Sequence, residues 1–252
     1  MERPIIVYKY HKINQHLFSL LENGKLWFAH QNELNDPFDC KYAFSDDFLF
    51  SLFKRSSESL LVDLKKKNPL LNFPLADDFL KNKLPVLKSK ENMNRFYNTL
   101  FGEKLGWNVC CFTTNPLNEI MWSHYADNQK GVCLEFDLSK TPQLHNKLFQ
   151  VNYTDTFPEI SSIDMLPTAL LTKRTAWNYE DEWRILTNEK GEKRFNRESL
   201  SRIYFGCYVS KETISKIRKM IIKSGYNNLD FKQLTFRIKG VNLTKLDESD
   251  TC

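Results

Sequence analysis

Met121-Trp122-Ser123-His124-Tyr125-Ala126, then Asp127-Asn128-Gln129-Lys130-Gly131, then Val132-Cys133-Leu134-Glu135-Phe136-Asp137: this stretch decides the fold. The first block reads as the end of a helix, the second as a polar turn, the third as a buried strand. Asn115 stands where it can cap that helix. Pro116 falls in the first turn, where its missing N–H would be unpaired anyway. Gly131 frees the backbone to enter the strand. Side chains alternate along a strand, so Cys133, Glu135 and Asp137 share one face and Val132, Leu134 and Phe136 the other. His, Tyr, Ser and two acids make this the chemically richest segment of the chain.

Upstream, Ile5-Ile6-Val7-Tyr8-Lys9-Tyr10 is a β-branched and aromatic strand with a lysine inside it. Asn14 caps a helix with Leu17, Leu20 and Leu21 on one face, and Gly24 closes it. Lys25-Leu26-Trp27-Phe28-Ala29 follows as a second strand, and Asn35-Asp36-Pro37-Phe38-Asp39 as a turn. Residues 45–106 differ: rich in Lys, Asn, Ser and Leu, they predict helices over 57–67 and 89–105. This is a helical insertion, read as a lid, a partner-binding cap or packed filler.

Strands resume at Asn108-Val109-Cys110-Cys111-Phe112-Thr113, with another at 149–153. Ile163 to Lys173 is helical, with Pro167 early in it. Trp183-Arg184-Ile185-Leu186 is a strand, followed by a hairpin-like loop around Lys190-Gly191. Ile203-Tyr204-Phe205-Gly206 is short. Ser210 caps a helix with Ile214, Ile217 and Ile221 inward and Lys211, Lys216, Lys219 and Lys223 outward, ended by Gly225. Residues 231–239 add a last strand, and the tail after Leu246 is frayed. Strands and helices mix without a βαβ rhythm, so the chain is α+β: one domain over 1–252, a mixed, mostly antiparallel sheet with flanking helices and the insertion.

With 252 residues, 13% aromatics and few Gly or Pro, the chain has the material for a full core. A net charge of +5 is mild. Cysteines at 40, 110, 111, 133, 207 and 252 form no Cys-x-x-Cys pair, which suits a reduced, cytoplasmic compartment better than a disulfide framework or zinc site. Neither a signal core nor a membrane-length apolar run is present. The Walker, Gly-x-Gly-x-x-Gly, His-Glu-x-x-His and Gly-x-Ser-x-Gly patterns are missing, which argues against P-loop, Rossmann, zincin and α/β-hydrolase chemistry.

A second rich segment is Lys173-Arg174-Thr175-Ala176-Trp177-Asn178-Tyr179-Glu180-Asp181-Glu182-Trp183-Arg184. Its acids stand where an apolar strand begins, at the edge of a core where partial burial tunes a pKa. Glu180, Glu182 and Arg184 share a side, and the arginine is placed to hold one acid ionised. His124 is the residue most readily poised near neutral pH.

Tyr8-Lys9-Tyr10, Lys25-Leu26-Trp27-Phe28, Asn35-Asp36-Pro37-Phe38-Asp39, Cys110-Cys111-Phe112, Met121-Trp122-Ser123-His124-Tyr125-Ala126, Gly131-Val132-Cys133-Leu134-Glu135-Phe136 and Glu180-Asp181-Glu182-Trp183-Arg184 together resemble the bacterial domain-of-unknown-function family 2971 (DUF2971). The resemblance runs from about Tyr8 to Gly206. It implies a bacterial, cytoplasmic protein associated with mobile or phage-defence loci, and no mechanism. A fold-level likeness to ADP-ribosyltransferases goes further: a basic residue on the first strand, an aromatic second strand, and a late Glu-x-Glu. It implies NAD as the dinucleotide used. Lys9, Trp27, Trp122 and Arg184 would contact it, and Glu182, Glu180, His124 and Tyr125 would form the catalytic set. The substrate implied is a protein or nucleic acid, or water. Lys9 departs from the usual Arg or His, and Phe28-Ala29-His30 from the usual Ser-Thr-Ser run.

Two other readings stand beside it. One is a metal-dependent nuclease or phosphodiesterase holding Mg²⁺ or Mn²⁺ on Asp36, Asp39, Glu135, Asp137 and His124. The other is a non-enzymatic sensor whose insertion binds a partner protein. No structural metal is expected in the leading reading.

Overall fold

The computed structural model describes residues 2–48, 51, 55, 107–237 and 240–246. The chain divides into two compact units, one of Met1–Pro37, Trp107–Asp155 and Lys173–Cys252, the other of Phe38–Gly106 and Thr156–Thr172. The helices expected over 57–67 and 89–105 lie outside the described residues, as does the tail after Leu246. In the second unit, Ala43–Phe44 pairs in parallel with Glu159–Ile160. Phe44, Ile160, Leu166 and Ala169 bury a small apolar cluster there. The helix expected over 163–173 begins as a 3₁₀ turn, Ile163–Met165, and continues as Leu166–Leu170 with Pro167 in its first turn.

The first unit is built on a ten-stranded sheet. Its strands are β1 (Ile6–His11), β2 (Lys25–His30), β3 (Asn108–Thr113), β4 (Val132–Asp137), β5 (Leu148–Gln150), β6 (Glu182–Thr187), β7 (Gly191–Arg194), β8 (Leu200–Phe205), β9 (Asp230–Arg237) and β10 (Gly240–Lys245). The order is β7-β2-β3-β1-β4-β8-β9-β10, with β6 on β3 and β5 on β6. Every pair is antiparallel except β8–β9. That pair is joined through a helix, the crossover a parallel pair requires. The α+β class with a mixed, mostly antiparallel sheet is the one the sequence predicted. The loop at Lys190-Gly191 is not a hairpin: β7 leaves β6 and pairs with β2, Gly191 against Phe28.

Helix α1 (Gln15–Asn23) starts where Asn14 accepts from the His16 and Leu17 N–H groups, and ends at Gly24 with φ 63°. Helix α2 (Glu119–Tyr125) is capped by Asn118, whose side chain accepts from Ile120 and Met121. The expected cap, Asn115, instead accepts from the Leu117 N–H in a turn ahead of the helix. The left-handed residues before β4 are Asp127, Asn128 and Gln129, with φ of 51°, 52° and 65°. Gly131 is a matter of space: a Cβ there would sit 2.3 Å from the His11 carbonyl oxygen. Helix α3 (Lys211–Lys223) buries Ile214, Ile217 and Ile221, with Ser210 as cap.

Register sorts the sheet into two unlike faces. Direct antiparallel partners share a face. One face carries Val7, Phe112, Leu134, Phe136, Ile203 and Phe205, buried with the leucines of α1 and the isoleucines of α3. The other carries Tyr10, Cys133 and Tyr204, packed with Met121, Trp122 and Ala126 of α2. Along one row of that second face the paired residues are Glu182, Thr113, Tyr8, Glu135 and Arg202.

Candidate functional site

At the β6 end of this row lies a buried group of two cations and two carboxylates. The Lys173 ammonium reaches Glu180 Oε2 at 2.6 Å and Glu182 Oε2 at 2.9 Å. Arg184 donates from Nε to Glu182 Oε1 at 2.8 Å and from Nη2 to Oε2 at 2.9 Å. The Lys173 ammonium also stands 4.9 Å from the centre of the Trp177 ring. Tyr125 donates its hydroxyl to Glu180 Oε1 at 2.7 Å, and Asn35 donates to the same hydroxyl at 3.1 Å.

The two carboxyls diverge. Burial pushes Glu182 up, but Arg184 and Lys173 together outweigh it and hold the group at about 2. Burial likewise raises Glu180. Here Lys173 and the Tyr125 hydroxyl only partly offset it, so Glu180 stays above its ordinary value. Neighbouring carboxyls with pKa values driven apart are the arrangement from which acid and base roles are assigned. These surroundings thus leave Glu180 the more readily protonated of the two, and Glu182 the more firmly ionised.

A cavity of about 540 Å³ opens beside Tyr125. Its origin is topological. β1 and β2 share one edge of β3, β2 at Asn108 and Val109 and β1 only at Thr113. Between these contacts the β3 edge has no strand partner among the described residues, and the Lys9 ammonium takes the Cys111 carbonyl at 3.0 Å. Lys9, Lys12, His16 and Lys25 line the space, together with Tyr10, Trp27, Cys111 and Tyr125. Its one acid, Glu192, is already paired with Lys25 at 2.7 Å. His11 records the local field: burial first, then Lys9 and His16, push its pKa down to about 3. A volume within roughly 300–1,000 Å³, cationic and partly aromatic, suits an anionic ring-bearing ligand.

Four of the sequence-predicted site residues therefore meet: Lys9, Trp27 and Tyr125 line the cavity, and Glu180 is bonded to Tyr125. Glu182 is 3% exposed, both its oxygens are taken, and it is not part of the cavity lining. Arg184 and Trp122 are fully buried, the indole N–H donating to the Pro116 carbonyl at 2.9 Å. Neither has surface left for a cofactor. His124 is exposed, its Nδ1 3.2 Å from the Tyr179 hydroxyl, and is not part of the cavity lining. Sequence reasoning missed Lys173 as the bridge, Asn35 as a partner of Tyr125, and the cavity-lining Lys12, His16 and Lys25. The lysine was visible within the acidic segment. Its partners were not, because Lys173 and Glu182 meet only once the 3₁₀ segment Thr175–Glu180 has turned the chain back.

The metal-ligand set does not assemble. Glu135 is held by Arg202, Ser201 and Tyr204 at 2.6–3.3 Å, and Asp137 by Ser139 at 2.6 Å. Among the described residues no group of three or more His, Cys, Asp or Glu side chains is placed to hold a metal ion. Cys40, Cys110, Cys111, Cys133 and Cys207 are free thiols. No helix among the described residues is long and apolar enough to cross a membrane.

This geometry defines an α+β protein with a cationic cleft backed by a buried carboxylate pair. Residues 121–185 match the family model described as "Protein of unknown function (DUF2971)". The matched stretch holds Tyr125, Lys173, Glu180, Glu182 and Arg184, while Lys9 and Trp27 lie outside it. No curated protein and no solved structure matches the chain.

Proposed function

We propose that this protein is an enzyme with ADP-ribosyltransferase-like chemistry. It takes NAD in the cleft between β1 and β2, and transfers ADP-ribose to a protein or nucleic acid, or to water. The observation that carries this reading is the double duty of Tyr125, which lines the cavity and donates its hydroxyl at 2.7 Å to Glu180. Lys9, Lys12 and Lys25 suit a pyrophosphate, and Trp27 offers a ring face. The bond from the ribose carbon to the nicotinamide nitrogen breaks, and nicotinamide leaves with the electron pair. The incoming nucleophile bonds to that carbon, its proton passing to Tyr125 as Tyr125 gives its own to Glu180. Negative charge at Glu180 and Glu182 favours the positive charge that develops at the ribose carbon. Glu182 is a positioning residue, holding Lys173 and through it Glu180. The setting we attach to this chemistry is the bacterial cytoplasm, in phage defence or as a toxin.

The test is nicotinamide release from NAD, with and without cell lysate. Wild type releases it, and Glu180→Gln slows release by about 100-fold or more, the range for losing a general base. A wild type that releases none under either condition, or a Glu180→Gln enzyme at full rate, overturns the reading. Saturation of both Glu182 oxygens favours a second reading, a nucleotide sensor, for which NAD binds without being consumed.

A further inference from the structure

A second cavity, of about 500 Å³, borders the segment from Gln150 to Tyr153. It is lined by Gln150, Val151, Asn152, Tyr153, Thr175 and Asn178, so no formal charge faces it. Tyr153 ties it to the buried group: its hydroxyl accepts the Glu182 N–H at 2.8 Å. That bond uses a lone pair and leaves the hydroxyl proton free to donate. Thr175 donates its hydroxyl to Asp155 Oδ2, at 2.5 Å, and keeps acceptor capacity. The carboxamides of Gln150, Asn152 and Asn178 make no hydrogen bond to any described residue. Three carboxamides, a phenol and a hydroxyl thus border one hollow, with donors and acceptors unspent among the described residues.

We infer that this cavity is a recognition site for a nucleobase, adenine first. A carboxamide carries a coplanar donor and acceptor, the pair that the N6 and N7 edge of adenine complements. A phenol ring adds a face on which an unstacked base can lie. An anion would meet no counter-charge here, and a sugar would offer hydroxyls without the coplanar pair. The site is separate from the cationic cleft and needs no turnover there.

The side-chain NH₂ resonances of Gln150, Asn152 and Asn178 report on it directly, in ¹H–¹⁵N spectra of the full chain without NAD. Adenosine and a short single-stranded oligoadenylate are titrated in turn. Saturable shifts of these resonances are expected with adenosine, and Asn178→Ala, an exposed change, weakens them about tenfold or more. Lys9→Ala leaves them as they are. Saturation with adenosine alone marks a free nucleoside as the ligand. Tighter binding of the oligonucleotide marks a base within a strand. Shifts that never saturate, that a simple sugar reproduces, or that fall only on residues of the β1–β2 cleft overturn the inference. Since nothing in this titration depends on nicotinamide release, its failure and that of the catalytic reading are separate results.

Discussion

At the scale of single residues, two glutamates two positions apart in the chain have been given opposite environments. Glu182 has its folded pKa near 2 against an ordinary 4.5. Its stabilisation is complete above 4.5 and is lost as pH falls through 2. That gap corresponds to roughly 3 kcal/mol. Glu180 has the opposite sign: with its pKa raised, the folded state binds the proton better, and stability falls as pH rises past 4.5. Denaturant midpoints between pH 2 and 7 check this. Wild type steepens its loss below pH 4.5, whereas Glu182→Gln lacks that limb and is weaker at neutral pH by about 3–5 kcal/mol, since Lys173 and Arg184 lose a buried counter-charge. Parallel curves for the two proteins would contradict the assignment. His11 adds a slope of the same direction, which sets in higher, between pH 6.5 and about 3, as acid protonates the unfolded chain, and His11→Gln removes it.

At the scale of elements, strands and caps with local causes were legible from the chain alone. β4 is Val132–Asp137 as the alternation predicted, and α1 has the cap and the left-handed glycine the sequence implied. Asn115 was misread because two asparagines three residues apart both precede the α2 pattern, and only backbone geometry chooses between them. Asn118 also donates to the Tyr179 carbonyl, which ties α2 to the segment bearing Glu180. Asn118→Ala therefore costs about 1 kcal/mol or more in thermal or denaturant unfolding, and more than Asn115→Ala. Gly131 was read as freeing the backbone into the strand, and the structure adds the reason in space: the close approach of the His11 carbonyl. Gly131→Ala is expected to lose at least ~2 kcal/mol through overpacking. A stability equal to wild type would mean that this close approach does not exist.

At the scale of the molecule, the sheet separates work between its faces. One is closed by α1 and α3 over an apolar core. The other gathers tyrosines and carboxylates under α2. The strand identities told which side chains share a face. They did not tell that β1 and β2 part along one edge of β3, because that depends on where each strand stops pairing. Hence Lys9, Trp27 and Tyr125 were named without their meeting place, and Trp122 and Arg184 were named although the core encloses both. The contact between Tyr125 and Glu180 spans 55 residues, beyond any local pattern. What the account requires above all is that the β1–β2 cleft accepts a pyrophosphate-bearing nucleotide. Calorimetric titration with ADP-ribose, which has no nicotinamide to lose, tests that directly. A saturable site weakened about tenfold or more by Lys9→Ala and by added salt is expected, distinct from any Lys9-independent adenine binding at the second cavity. No binding, or only binding indifferent to Lys9→Ala, would contradict it.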